Sequence, residues 1–173
     1  MEIKNCDTLD GVKLIKLKKF DDNRGSFITF PNMLDQLPFK MVQTNISISH
    51  KGVLRGMHHQ VYNPQTKLVT CLNGAVLDMV YDNRPESPTY KKGKCYMLHS
   101  PNECLLVPRG FLHGFISLKD NTIFQYYVDN EYNPNDEATV HWSIMDEVIP
   151  WSTLNTLKIN INNLIISNKD NVS

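Results

Sequence analysis

Apolar and polar residues alternate along most of this chain with a period of two, the spacing of a half-buried β-strand. The alternation predicts strands over Val12–Leu17, Met41–Ser49, Lys67–Leu72, Ala75–Tyr81, Lys94–Leu98, Cys104–Val107, Phe111–Leu118, Thr122–Val128 and Ala138–Trp142. The breaks carry turn chemistry: Asp22-Asn23-Arg24-Gly25, Asn73-Gly74, Lys92-Gly93, Pro108-Arg109-Gly110 and Lys119-Asp120-Asn121. Gly, Asn, Asp and Pro accept the backbone angles that a reversal needs. Asn73-Gly74, between two alternating runs, reads as a β-hairpin. Only Pro31–Leu37 and the tail from Ser152 invite a short helix. Many short strands at nearly regular spacing imply an all-β sandwich or barrel with short peripheral helices.

One stretch breaks the economy of this pattern. Between Val53 and Leu72 the chain places Arg55, His58, His59, Gln60 and Lys67 among residues otherwise apolar enough to be core. Such a face is either wet or a site. Strand parity adds candidates. Leu77, Met79 and Tyr81 share one face, and Asp78, Val80 and Asp82 the other; Phe111, His113 and Phe115 share a face, as do Phe124, Tyr126 and Val128. A face that mixes large apolar groups with a His or a Tyr suits a ligand-holding barrel interior. The plainer reading of either residue alone is a core side chain with one satisfied hydrogen bond.

Length and charge narrow the class. A chain of 173 residues is expected to form one domain, 1–173, with a full hydrophobic core. Its 18 basic and 18 acidic residues cancel and are scattered, so it offers no field to hold nucleic acid. No apolar run has membrane-spanning length, and the start, Met1-Glu2-Ile3-Lys4-Asn5, is too polar for a signal peptide. A cytoplasmic location with no membrane partner is expected. Cys6, Cys71, Cys95 and Cys104 match no metal-knuckle spacing and are expected to be reduced, mostly buried thiols.

His58 and His59 look like a metal pair, but neighbours on a strand point to opposite faces, and His113 does not complete a set. A metal-free and cofactor-free site fits better. His58 or His59 can act as a base near neutral pH. Tyr126 can act as an acid, and Lys67 can stabilise developing negative charge. Arg24, Arg55 and Arg109 can hold phosphates through paired bonds. Strict alternation would separate Arg55 from His58, and Gly56 between them permits a bulge that resets the parity.

These residues fall within a string of motifs: Phe20-Asp21-Asp22-Asn23-Arg24-Gly25-Ser26-Phe27, Gln43-Thr44-Asn45-Ile46-Ser47, Gly52-Val53-Leu54-Arg55-Gly56-Met57-His58-His59-Gln60 and Lys67-Leu68-Val69. Asp82-Asn83-Arg84 with Ser87-Pro88-Thr89 follows, then Val107-Pro108-Arg109-Gly110-Phe111-Leu112-His113-Gly114-Phe115, Tyr126, Tyr132-Asn133-Pro134 with Glu137, Trp142, and Ile149-Pro150-Trp151. In this order, from about Phe20 to Trp151, the chain resembles the dTDP-4-dehydrorhamnose 3,5-epimerase family of nucleotide-sugar epimerases.

The resemblance implies a cupin-like jelly-roll barrel that needs no metal and acts on a nucleoside-diphosphate 4-keto sugar. It implies that His58 is the base, Tyr126 the acid on the opposite face, and Lys67 the group that stabilises an enolate. Ser167-Asn168-Lys169-Asp170 looks like a family motif whose Asp orients the base, which makes Asp170 its partner. Phe20, Arg24, Gln43, Asn45, Arg55, His113, Tyr132 and Glu137 match positions that hold substrate. Family members are usually homodimers whose N-terminal strands cross over, with Arg24 serving the partner's pocket. Thr29 stands where the family usually has Glu, and His59 where aromatics are common. These departures imply another nucleotide, guanosine or cytidine, on a 4-keto hexose or heptose. Inversion at C3 alone is equally compatible with the motifs. The competing readings are a non-catalytic carbohydrate-binding jelly roll, a metal-dependent cupin, and a 3,4-ketoisomerase of the same barrel type.

Overall fold

The alternating runs do become strands. The computed structural model describes residues 1–30, 37 and 40–172. Along it run β1 (Glu2–Asn5), β2 (Lys13–Lys16), β3 (Lys19–Asp22), β4 (Gly25–Ile28), β5 (Gln43–Ser49), β6 (Val53–Gln60) and β7 (Lys67–Asn73). They are followed by β8 (Val76–Asp82), β9 (Gly93–Leu98), β10 (Glu103–Val107), β11 (Phe111–Ser117), β12 (Thr122–Val128), β13 (Glu137–Thr139) and β14 (Ile165–Ile166). One sheet has the order β1-β2-β10-β7-β12-β5, and the other β13-β6-β11-β8-β9 with β14 on β6. All pairings are antiparallel except β14 with β6. The fold is a cupin-like jelly roll.

Parity decides what each sheet buries. Val69, Cys71, Val80, Phe111, Phe115 and Phe124 meet between the sheets. The rings of Phe115 and Phe124 pack at 4.8 Å, and burying each stabilises the fold by roughly 1.5–3 kcal/mol. The outer face of the second sheet, with Leu77, Met79, Leu112 and Ile116, is covered by Trp142, Met145, Ile149 and Leu154 from the C-terminal segment. Both faces of this sheet are therefore apolar, which is why β8 and β11 read as nearly continuous hydrophobic runs. Ile15, Leu17, Leu68 and Leu106 form a third cluster on the outer side of the first sheet.

Two expectations change. Asn73-Gly74 is not a hairpin: β7 pairs with β10 and β12, β8 with β11 and β9, so the turn carries the chain from one sheet to the other. Gly74 has φ +88°, and a Cβ there would lie 2.3 Å from the Thr122 hydroxyl. The glycine therefore answers to a close crossing at a corner rather than to strand reversal. The strand expected over Ala138–Trp142 is β13 alone, because Trp142 opens a 3-10 turn, Trp142–Met145, whose first free N–H groups are met in part by the His141 side chain accepting from Ser143. The tail helix is real but short, α1 at Trp151–Thr156. The helix expected over Pro31–Leu37 falls, apart from Leu37, outside the described residues. β1, the β3–β4 hairpin and β14 were not predicted as strands; each is only two to four residues long. Cys71 and Cys104 are buried, Cys6 and Cys95 half-buried, and all four are unpaired. No helix among the described residues is long and apolar enough to cross a membrane.

Candidate active site

The site begins with a break in the β6–β11 ladder. His113 pairs with His58, while Phe115 pairs with Arg55, so β6 carries one residue more than β11 between these pairs. That is a β-bulge, and it falls at Gly56, where the motif allowed one. Gly56 has φ +119°, and a Cβ there would meet Gly114 Cα at 2.5 Å and the His113 carbonyl at 2.8 Å. Two glycines facing each other let the strands close in. The parity resets, and Arg55 and His58 line one cavity despite their odd spacing.

That cavity has a volume of about 300 Å3 and opens at the end of the barrel where β7 begins and β12 ends. β5 contributes Asn45 and Ser47, β6 Arg55 and His58, β7 Lys67 and β12 Tyr126; Tyr132, Glu137, Lys169 and Asp170 close the rim. Lys67 shares its strand face with Val69 and Cys71, and Tyr126 shares its face with Phe124 and Val128, so both point between the sheets.

His58 sits between two carboxylates. Its Nε2 is 2.7 Å from Asp170 Oδ1, and its Nδ1 is 3.7 Å from Glu137 Oε1. The second Asp170 oxygen accepts the backbone N–H of Gly56 at 3.2 Å. A ring that donates from Nε2 to Asp170 keeps a lone pair on Nδ1. Burial alone would raise the pKa of Asp170, but the hydrogen bond and charge of His58, the Gly56 N–H and Lys169 hold it below the ordinary range. Glu137 behaves likewise: burial opposes ionisation, and Lys169, His58 and Tyr132 outweigh it. Lys169 pairs with Glu137 and reaches the Tyr132 hydroxyl at 3.3 Å, and that hydroxyl donates to Glu137 at 2.9 Å.

Lys67 is desolvated, and its pKa falls to about 8 although the Glu137 and Asp78 carboxylates oppose the shift. Burial pushes the Tyr126 phenol well above its usual value; its hydroxyl lies 3.3 Å from Ser47 Oγ. The cavity thus holds an imidazole with a carboxylate behind it, a half-buried ammonium and a half-buried phenol.

Other predicted residues take supporting or separate places. Gln43 donates to Asn45 at 2.6 Å and accepts the Tyr132 N–H at 2.9 Å, bracing the rim. His113 is 3% exposed, hydrogen-bonded to Asp78 at 2.6 Å and edge-on to the Tyr126 ring at 6.3 Å, behind the cavity wall rather than on it. Phe20 and Arg24 sit on the exposed β3–β4 hairpin and do not line the cavity; Arg24 is paired with Asp22 at its own turn. Arg109 is likewise occupied by Asp129. His59, on the opposite face from His58, has its pKa lowered by burial and by the Lys67 charge, with Asp136 opposing. Lys169, Ser47 and Asp78 were not assigned a role from sequence. Each had a signal: Lys169 and Ser47 stand inside quoted motifs, and parity grouped Asp78 with Val80 and Asp82 on one face of β8. Among the described residues no three His, Cys, Asp or Glu side chains are grouped as a metal ion would need.

The chain matches a family model described as dTDP-4-dehydrorhamnose 3,5-epimerase over residues 7–173. The match reaches past the motif string at both ends and takes in Asp170. A dTDP-4-dehydrorhamnose 3,5-epimerase from Methanothermobacter thermautotrophicus is 36% identical over 168 residues, covering 94% of this chain and 88% of its own. The crystal structure of a Bacillus anthracis dTDP-4-dehydrorhamnose 3,5-epimerase with TDP and PPi bound superposes with a TM-score of 0.86 at 34% identity, covering 99% of this chain and 97% of that one. An epimerase from Legionella pneumophila in complex with dTDP-4-keto-L-rhamnose gives 0.85 at 32% identity, over 98% and 89% of the two chains. This chain belongs to the dTDP-4-dehydrorhamnose 3,5-epimerase family, and it is a nucleotide-sugar epimerase.

Proposed function

We propose that the protein inverts C3 and C5 of a dTDP-linked 4-keto-6-deoxy hexose, without a cofactor, through an enolate, and so supplies a deoxysugar nucleotide for glycan assembly. The observation that carries the reading is the His58–Asp170 pair in one cavity with Lys67 and Tyr126. The C4 carbonyl acidifies the protons on C3 and C5, because the electrons left behind spread onto the carbonyl oxygen. His58 takes the proton from one face. Asp170 fixes the ring and stabilises the imidazolium that forms. Lys67 faces the charge that builds on the C4 oxygen, in a site dry enough for one cation to matter. Tyr126 returns a proton from the other face, and the centre inverts.

In this reading Arg55, Asn45, Tyr132 and Glu137, which line the cavity, hold the sugar and its diphosphate. The cavity suits a sugar ring rather than a whole nucleotide, so the nucleoside would extend over the rim. Phe20 and Arg24 fit this scheme if the protein is a homodimer in which the β3–β4 hairpin serves the other subunit's site. Thymidine as the base rests on the relatives, and Thr29 is the residue that argues for guanosine or cytidine instead.

Incubation in D2O with dTDP-, GDP- and CDP-linked 4-keto sugars, read by mass, tests the reading. A gain of two mass units on the dTDP sugar supports it. Gain on a GDP or CDP sugar alone overturns the choice of nucleotide. A single unit restricts the reaction to one centre. Binding of all the sugars with no gain would make the protein a non-catalytic carbohydrate binder.

A further inference from the structure

β5 is the outer edge of its sheet, with no further described strand beyond it. Gln43, Asn45, Ser47 and Ser49 turn to one side of it, and Thr44, Ile46 and Ile48 to the other. The first side is polar throughout. Gln43 holds the Tyr132 backbone, and Ser49 accepts from Arg55 Nε at 3.2 Å. Ser47 stands between them, half-buried on the cavity wall, with its Oγ 3.3 Å from the Tyr126 hydroxyl. Among the described residues it is the one hydrogen-bond partner of that hydroxyl. The rest of the Tyr126 ring is enclosed by Phe124, Phe115 and His113, with ring centroids at 5.0, 6.4 and 6.3 Å.

An acid that inverts two centres in one binding event must be reloaded between them. The sugar then still fills the cavity and blocks water from that side. His58 works on the opposite face and cannot deliver the proton. The ring's other neighbours carry no proton to the phenol oxygen. The remaining route runs through the wall, at the edge strand.

We propose that Ser47, acting through Tyr126, is the relay that reprotonates it from solvent. The proposal rests on Tyr126 being the acid. After each transfer the Tyr126 oxygen is a phenolate. The Ser47 O–H bond breaks as its proton passes to that oxygen, and a water at the unpaired edge of β5 gives Ser47 a proton in the same motion. The hydroxide left is neutralised by the proton that His58 took, which leaves from Nδ1 past Glu137 at the rim, 3.7 Å away, rather than through the filled cavity, so protons balance and no electrons move. The surroundings agree: burial resists the phenolate, Ser47 and Arg55 favour it, and the Asp78 and Asp170 charges oppose it. A phenolate so placed is short-lived only if a donor is already in contact.

The test follows deuteron entry in D2O by rapid quench and mass analysis. The probe is the dTDP-linked 4-keto sugar that is the C3/C5 epimer of dTDP-4-keto-L-rhamnose. Tyr126 enters the reaction already loaded, so in Ser47→Ala the first deuteron should enter at the wild-type rate. Each later one should lag by about tenfold or more. Ser47→Thr, which keeps a hydroxyl, should restore the later transfers. Later deuterons keeping pace in Ser47→Ala would overturn the relay. A first deuteron slowed as much as the rest would also overturn it, since Ser47 would then only hold the ring. Tyr126→Phe separates the two readings: wild-type deuteron entry in that variant would remove Tyr126 as the acid, and the relay with it.

Discussion

Asp170 holds His58 from a distance of 112 residues in sequence, with Oδ1 2.7 Å from Nε2 while its other oxygen accepts the Gly56 N–H. One carboxylate thereby ties the proposed base to the bulge that aims it. Asp170→Asn can keep only part of this. An amide oxygen left on the Gly56 N–H turns the NH2 group toward His58, so Nε2 must accept and the ring proton moves to Nδ1. The base would then lack its lone pair. Turnover should fall about 100-fold or more, with the circular-dichroism strand signal unchanged. Wild-type turnover in Asp170→Asn would mean that Asp170 does not set the ring's tautomer.

Lys67 predicts the alkaline limb of activity. Its pKa is lowered, so burial disfavours the charge that enolate stabilisation needs. Below about 8 the ammonium is present and the site is competent; above it the cation is lost and kcat/KM should decline. For stability the sign is opposite. The folded protein bears the cost of burying the cation at low pH and sheds it as pH rises from about 8 toward the ordinary Lys value of 10.5. Lys67→Met should abolish turnover and raise stability near pH 7. A pH profile of deuterium exchange and a urea melt read the two effects separately.

Gly56 and Gly114 should tolerate no side chain. A Cβ on Gly114 would lie 2.7 Å from the Arg55 carbonyl, and one on Gly56 would strike Gly114 while holding φ at +119°. Strain and overpacking together predict a loss on the order of 3 kcal/mol for Gly56→Ala. The urea midpoint should drop accordingly, and activity should fall with it.

Asp78 and His113 form a buried pair, 0% and 3% exposed, and among the described residues Asp78 Oδ2 has no hydrogen-bond partner. Removing His113 alone leaves a buried carboxylate uncompensated, at roughly 3–5 kcal/mol. Replacing both by Leu should cost less than His113→Leu alone, because an apolar pair of similar volume leaves no buried charge. A double-mutant cycle in urea gives the coupling directly. Additive effects would show that neither side chain depends on the other for its stabilisation.

The strands were legible because period-two alternation is local, and parity grouped Tyr126 and His113 with the large apolar residues of their strands, as a barrel interior requires. Gly56 was legible as a bulge because Arg55 and His58 had to share a face. Asn73-Gly74 misled because turn chemistry reports a change of direction, whereas pairing depends on which sheet each strand joins. The depth of His113 was not legible either, since its strand is buried on both faces and parity says nothing about distance from the cavity. Arg24 has the chemistry to hold a phosphate, but its nearest anion is Asp22, two residues away at 2.6 Å. Motif order alone carried Asp170, and no periodicity could have linked it to His58.

The segment that brings Asp170 to the base is thinly fastened. Besides the polar contacts of Lys169 and Asp170 at its end, it is held by two residues of parallel pairing, by Ile165 N–H on the Gly52 carbonyl, and by Leu164 and Ile166 against the core, while most of its side chains from Ile161 to Lys169 are exposed. Such a clasp opens at a lower free energy than the sheets it rests on. Heat should therefore silence the enzyme in two stages. Catalysis fades first, reversibly, as the clasp lets go and His58 loses its anchor, and the barrel melts only at a higher temperature.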